Sequence, residues 1–337
     1  MKNAESTLEI ALRGLQPYFD IEGTNDIHIN EPGIVITQGY YGKKFHEDAK
    51  ITFDWCKGLA KLVANHSSQK VDESTPLLGT TLPSGQRIQV VLPPATPAGR
   101  IAIAIRTPTK FFTMDDLDSQ GGFDDVALDE SELEPHEAEL LELKNSGKIR
   151  QFIEKAIFYK KNIVCSGATS AGKTTYGNAF IECIPPDERL ITLEDALENI
   201  FRIHKDVVRL LFSRGEQGRA KVTIKDLIEV VLRLNPDRVL LSELRGAEAF
   251  YYMRNVNSGH PGTITTVHAN SPKLAIAQMI LYIKESEAGR NLTTDDIRAF
   301  LFANVDVILQ FHNVPGKGRK VTGIYYDPMR KRELINR

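Results

Sequence analysis

Hydrophobic and polar positions keep one rhythm up to about residue 110 and another after residue 149. In the first part, Leu8, Ala11, Leu12 and Leu15 recur at helical spacing and predict an amphipathic helix. Residues 26–30 and 33–37 alternate on either side of Glu31-Pro32-Gly33, which predicts a short hairpin. From about His46 to Asn65 the spacing predicts a helix with Phe53, Trp55, Leu59 and Leu62 as candidate core positions. Two strands, 87–92 and 100–106, are separated by the breaker Pro93-Pro94-Ala95-Thr96-Pro97. Residues 1–110 are therefore expected to form a small α+β domain.

After residue 149 strands alternate with helices, a pattern that implies a mainly parallel sheet with its ligand at the carboxyl ends of the strands. Predicted strands are 163–165, 189–193, 238–241 and 263–266, with helices at 174–183 and 223–234. A last helix near 293–303 leads into a terminal hairpin, 305–311 with 321–326. The expected second domain is an α/β unit over residues 149–337. Between the two lies a linker, 111–148, whose stretch 111–143 has no Lys or Arg and twelve acidic residues. It reads as a solvated connection, or as a docking strip for a basic partner or neighbouring subunit, and residues 133–143 could form a helix with an acidic face.

Composition narrows the class. The chain has 337 residues, 42% hydrophobic and 26% charged, the balance of a globular protein. A formal net charge of -2 gives no overall field for nucleic acid, so nucleic acid is not indicated as a partner. Cys56, Cys165 and Cys183 are few, odd in number and far apart, which argues for a reducing cytosol and against a disulfide framework. No run of 18 apolar residues is present and no transmembrane segment is expected, so work at a membrane would be done from its cytoplasmic surface.

The chemistry centres on Gly167-Ala168-Thr169-Ser170-Ala171-Gly172-Lys173-Thr174, an eight-position phosphate-loop pattern with an apolar strand before it and a helix after it. Glycine lets backbone N–H groups converge on phosphate oxygens, and the helix N-terminus adds partial positive charge. Lys173 would reach the β- and γ-phosphates, and the Thr174 hydroxyl would ligate Mg²⁺, with Thr175 next to it in the nucleotide site. The expected cofactors are ATP and Mg²⁺. Two further strands end in carboxylates, Ile191-Thr192-Leu193-Glu194-Asp195 and Val239-Leu240-Leu241-Ser242-Glu243. A carboxylate there can hold magnesium's water shell or orient an attacking water, although a helix cap at Asp195 and a surface salt bridge at Glu243 are the plain alternatives. His260 and His268 bracket a short strand, with His268 the candidate γ-phosphate sensor and His260 its support.

The order of these segments resembles the secretion-ATPase superfamily. Its Walker A, Asp box, Walker B and His box match the phosphate loop, residues 193–198, residues 232–246 and Ser258-Gly259-His260-Pro261-Gly262. Residues 76–87 and Val91-Leu92-Pro93-Pro94-Ala95 are similar to the VirB-system hexameric traffic ATPases of type IV secretion and conjugation, over nearly the whole chain except the acidic linker. The resemblance implies a RecA-like phosphate-loop ATPase domain behind the α+β domain. It makes Glu194 the water-activating or water-orienting carboxylate and Glu243 the Walker B carboxylate that meets Mg²⁺ through water. The family often has Gly where this chain has Ser242. The resemblance also implies a homohexameric ring in which N-terminal-domain arginines, at the places of Arg87 and Arg106, approach the nucleotide. The partners it implies are inner-membrane secretion-system proteins, with the chain peripheral on the cytoplasmic face. Other readings are a pilus extension or retraction motor, a type II secretion ATPase, or a nucleotide-gated scaffold with negligible turnover. Three scattered cysteines speak against the four-cysteine zinc loop common in extension and type II motors. The basic positions 317–320 and 330–332 read as solvated.

Overall fold

The computed structural model describes residues 6–108, 112–124, 133–213, 220–256 and 258–335, so residues 125–132 of the acidic stretch lie outside the description. The chain opens on α1 (Thr7–Leu12), started by a reciprocal capping box between Ser6 and Glu9, and continues through a 3-10 turn (Arg13–Leu15) into α2 (Gln16–Phe19). Strands β1 (Thr24–Glu31), β2 (Ile34–Gly39) and β3 (Gly42–Glu47) follow, then α3 (Phe53–His66) with Thr52 as its N-cap. Strands β4 (Leu77–Thr81), β5 (Arg87–Val91) and β6 (Ala102–Arg106) complete an antiparallel sheet ordered β3-β2-β1-β6-β5-β4. The helix expected from His46 thus begins at Phe53, because His46 pairs with Val35 in β3. As an edge strand, β3 is mostly polar and exposed, which hides it from a hydrophobic pattern.

The centre of this sheet is buried on both faces. In β6, Ile103 and Ile105 pack into the core formed with α3, while Ala102 and Ala104 face the second domain's core. Strand alternation sorts the two sets, and the small alanines let the second domain approach closely.

The second half contains α4 (Met114–Ser119), α5 (Pro135–Asn145), α6 (Ile149–Phe158), β7 (Ile163–Gly167) and α7 (Lys173–Ile181). Next come β8 (Leu190–Glu194), β9 (Val207–Leu211), α8 (Ile224–Val231), β10 (Arg238–Leu241), α9 (Glu248–Val256) and β11 (Ile264–Val267). The chain closes with α10 (Pro272–Glu285), α11 (Thr294–Asn304), β12 (Val307–Val314), β13 (Gly318–Tyr326) and α12 (Pro328–Ile335). The pattern does not announce α4, α6, β9, α9, α10 or α12.

Strands β10-β8-β9 are parallel, as are β11-β7-β12, with β13 antiparallel at the edge. Threonine side chains carry the sheet across the join between β10 and β11. Thr263 Oγ1 donates to Val239 O at 2.8 Å and Thr266 Oγ1 to Ser242 O at 3.0 Å, and the Leu244 amide donates to Thr266 O at 2.9 Å. The carboxyl ends of β7, β8, β10 and β11 therefore share one edge of the molecule.

The acidic helix α5 is not merely solvated. Its Leu140 is fully buried beside Phe152, and Glu137 pairs with Lys161 at 3.2 Å and Arg332 at 2.7 Å. A second polar cluster joins the two domains at the opposite edge from the phosphate loop. Asn30 Nδ2 donates to Asp206 at 2.8 Å, Lys43 Nζ lies 2.7 Å from Asp206 Oδ2, and Arg189 donates to both Asp206 and Asn30. Buried His28 sits among these charges, with neither ring nitrogen hydrogen-bonded among the described residues. Burial holds its pKa well below the ordinary value, with Arg189 and Lys43 pushing the same way and Asp206 opposing.

Candidate functional site

Three backbone features shape the loop between β7 and α7. Gly167 closes β7 so near Phe311 that an added Cβ would lie 2.8 Å from the Phe311 carbonyl oxygen. Ser170 takes φ +63°, a left-handed conformation that costs a non-glycine residue energy and clusters at functional loops. Gly172 is the N-cap of α7 at φ +100°, a value glycine adopts without strain. Ala168, Thr169 and Ser170 are exposed, while Ala171, Gly172 and Lys173 are buried.

Lys173 Nζ donates to Gly167 O at 2.7 Å and Ala168 O at 3.1 Å. Burial pulls its pKa below the ordinary lysine value, and the Glu243 carboxylate pushes the other way. Its third neighbour is His268 Nδ1 at 3.4 Å, and His268 Nε2 lies 2.7 Å from Glu243 Oε1. An ammonium can only donate, so Nδ1 must accept and Nε2 carries the proton toward Glu243. The other Glu243 oxygen accepts from Arg245 Nη2 at 2.5 Å, and Arg245 reaches Asp195 at 3.8 Å. Lysine, histidine, glutamate and arginine thus form one connected line beneath the loop, drawn from α7 and from the ends of β10 and β11.

The two carboxylates near the end of β8 are placed very differently. Glu194 is fully buried on the same strand face as Thr192. It accepts from Thr192 Oγ1 at 2.6 Å and from Arg209 at 2.8 and 2.6 Å, the latter a bidentate pair from the neighbouring strand. It also accepts the backbone N–H of Glu198 at 3.1 Å and of Asn199 at 3.2 Å. Five donors occupy this carboxylate. Glu198, exposed one turn later, stands 3.4 Å from the Thr174 hydroxyl. Asn178 of α7 ties the same turn down, donating to Glu198 O and accepting from the Ile200 amide. Sequence reasoning gives Glu198 no role of its own; its one signal is a second glutamate four residues after Glu194 in the Asp-box segment.

His260 and His268 are not brought together. His268 follows β11, beside the loop, and His260 precedes it, at the amino end of the strand, where burial lowers its pKa with the Asn255 backbone opposing. A four-residue strand separates them, about 13 Å of rise. Arg106 is likewise at that far end. It is paired with Asp26 at 2.8 Å and donates to Asn235 at 2.8 Å, just before β10. With Arg87 and Arg233 it lines a cavity of about 350 Å³ between the domains. Neither arginine stands at this chain's own phosphate loop. The Thr175 hydroxyl accepts from Arg319 Nη1 at 3.3 Å, so a residue read as part of a solvated hairpin stands at the loop.

A parallel sheet carrying a phosphate loop, an adjoining lysine–histidine–glutamate line and a hydroxyl–carboxylate pair defines a RecA-like ATPase. Residues 21–285 match the family model described as Type II/IV secretion system protein. The chain is 41% identical to the type IV secretion system protein VirB11 of Bartonella henselae, over 98% of this chain and 97% of that one. It is 35% identical to VirB11 of Brucella suis, over 98% and 92%. The crystal structure of the Brucella suis VirB11 ATPase in complex with sulphate superimposes with a TM-score of 0.92 at 34% identity, covering 97% of this chain and all of that one. The chain belongs to the type II/IV secretion system protein family, and its full-length similarity to VirB11 makes it a type IV secretion ATPase. No helix among the described residues is long and apolar enough to cross a membrane.

Proposed function

We propose that the chain hydrolyses Mg²⁺-bound ATP at the loop 167–174 and turns that cycle into domain movement within a homohexameric ring on the cytoplasmic face of the inner membrane. The observation that carries this reading is the meeting of Lys173, Thr174, Glu198, Glu243 and His268 at one edge of the sheet. Lys173 leaves its loop carbonyls for the β- and γ-phosphates, and His268 relays the change to Glu243 through its protonated Nε2. The donor set suits Mg²⁺, since Thr174 and Glu198 offer hard oxygens side by side and Glu243 lies on the adjoining strand end. When bound, Mg²⁺ neutralises charge on the phosphate oxygens.

Glu198 is the carboxylate we assign to the attacking water, because it is exposed beside Thr174. Glu194, expected from the family pattern to touch that water, acts through Glu198. Its lone pairs hold Arg209 and the backbone of the very turn that carries Glu198. Glu198→Gln is expected to lower phosphate release by about 10²-fold or more. Wild-type release from the variant would take the water from Glu198, and equal, background-level release from both proteins would favour the scaffold reading.

Arg87 and Arg106 support the ring. Both are far from the loop of their own chain, so the γ-phosphate they would approach belongs to a neighbouring subunit. His260, at the same end, is proposed to support that contact from its own chain. Inner-membrane secretion-system proteins would receive the movement. Specific activity is then expected to rise with protein concentration as rings assemble. A fully active monomer by sedimentation would remove the inter-subunit part of the proposal.

A further inference from the structure

Seen from the loop, the first turn of α7 has two sides. The Thr174 hydroxyl faces Glu198, on the side of β8, and the Thr175 hydroxyl faces Arg319, on the side of β13. The hairpin of β12 and β13 is anchored here. Tyr176 donates from its hydroxyl to Arg319 O at 3.1 Å, and its ring packs on Phe311 with centroids 4.9 Å apart. The aliphatic part of Arg319 covers Gly172 so closely that a Cβ there would come within 2.8 Å of Arg319 Cδ. Glycine at the N-cap therefore serves two needs, the left-handed turn and the seat of an arginine. The guanidinium itself is exposed, and its hydrogen bond to Thr175, at 3.3 Å, is a long one to a neutral partner.

We infer that Arg319 holds the nucleoside end of the nucleotide, contacting the α-phosphate from the β13 side of the loop. The inference rests on the reading of this loop as the ATP site. A triphosphate whose γ-end lies toward Glu198, Glu243 and His268 must extend the other way across the first turn of α7, and Arg319 is the cation waiting there. A charged donor meeting a phosphate oxygen is stronger than its present bond to a hydroxyl, so the side chain gains by exchanging partners. Tyr176 positions the hairpin strand, and its hydroxyl holds the Arg319 backbone rather than the ligand.

The α-phosphate is common to ATP and ADP, and this sets the test. Dissociation constants for ATP and ADP, with Mg²⁺, are measured by fluorescence on the full chain, its Arg319→Ala and Arg319→Lys variants, and Lys173→Ala. Both nucleotides are expected to weaken about tenfold in Arg319→Ala, by the same factor, and less in Arg319→Lys, which keeps the charge but not the fork. Because the side chain is exposed, both variants should give the circular dichroism of wild type. Weakening of ATP alone would place Arg319 at the γ-end and overturn the inference, as would unchanged affinity for both. If wild type binds and Lys173→Ala does not while Arg319→Ala matches wild type, only this inference falls. If wild type binds neither nucleotide, the ATP site falls with it.

Discussion

Lys173→Ala is expected to lower ATP turnover by on the order of 10²- to 10³-fold or more while the protein stays folded. Among the described residues the ammonium is the one positive side chain recorded in contact with His268 under the loop. Arg245, the nearest other cation in the same line, is held by Glu243 at 2.5 Å and points away toward Asp195. Stability is a separate matter. The side chain's bonds go to the buried Gly167 carbonyl and the partly exposed Ala168 carbonyl, so truncation leaves one buried neutral acceptor short of a partner, at a cost of about 1–2 kcal/mol. Melting should therefore shift by no more than about 4 °C. Phosphate release within threefold of wild type would remove Lys173 from the mechanism, and loss of the folded signal would show that its role is structural.

The sequence made the loop legible because eight positions carry the pattern and both flanking elements obey it. β7 is wholly buried and α7 begins at Lys173, as the spacing required. The strands β8 and β10 are legible from their mainly apolar, buried residues, and β11 from its four β-branched residues. Several elements escape the pattern, for different reasons. The edge strand β3 has no buried position to carry an apolar pattern, and β9 is a short run interrupted by Arg209 on its less buried face. The helix α9 lies between two motif segments and α10 follows the last of them, both outside the quoted patterns.

Within the site, residue type was readable and side-chain direction was not. Glu194 and Glu198 are both glutamates in one short segment. Only the pairing of Thr192 opposite Arg209 turns the first inward onto a guanidinium. Nothing local in the sequence tells Glu194 that Arg209, fifteen residues on, occupies the adjacent strand. The same holds for Arg319, whose place at the loop depends on a hairpin returning from the far side of the sheet. Long-range pairing of this sort is invisible to periodicity, which reports only which face a residue takes.

The strongest effect on stability should come from the other edge, where the domains meet. Asp206→Asn is expected to cost about 3 kcal/mol, because it leaves the fully buried Arg189 and the largely buried Lys43 without their shared anion. The cost should also depend on pH in a defined way. Burial alone would raise the Asp206 pKa, but Arg189 and Lys43 outweigh it and hold the carboxyl at about 2. The unfolded chain protonates Asp206 near pH 3.9, by about two units the weaker acid. A depressed folded pKa contributes stability that is complete above about pH 4 and is lost as pH falls toward about 2. The gap between wild type and Asp206→Asn should therefore be constant from about pH 7 to 5 and close on further acidification. Urea unfolding of both proteins from about pH 7 down to about pH 3 measures it. A gap below about 1 kcal/mol at pH 7, or one that does not narrow below pH 4, would mean that the charges at this interface are held by something other than Asp206.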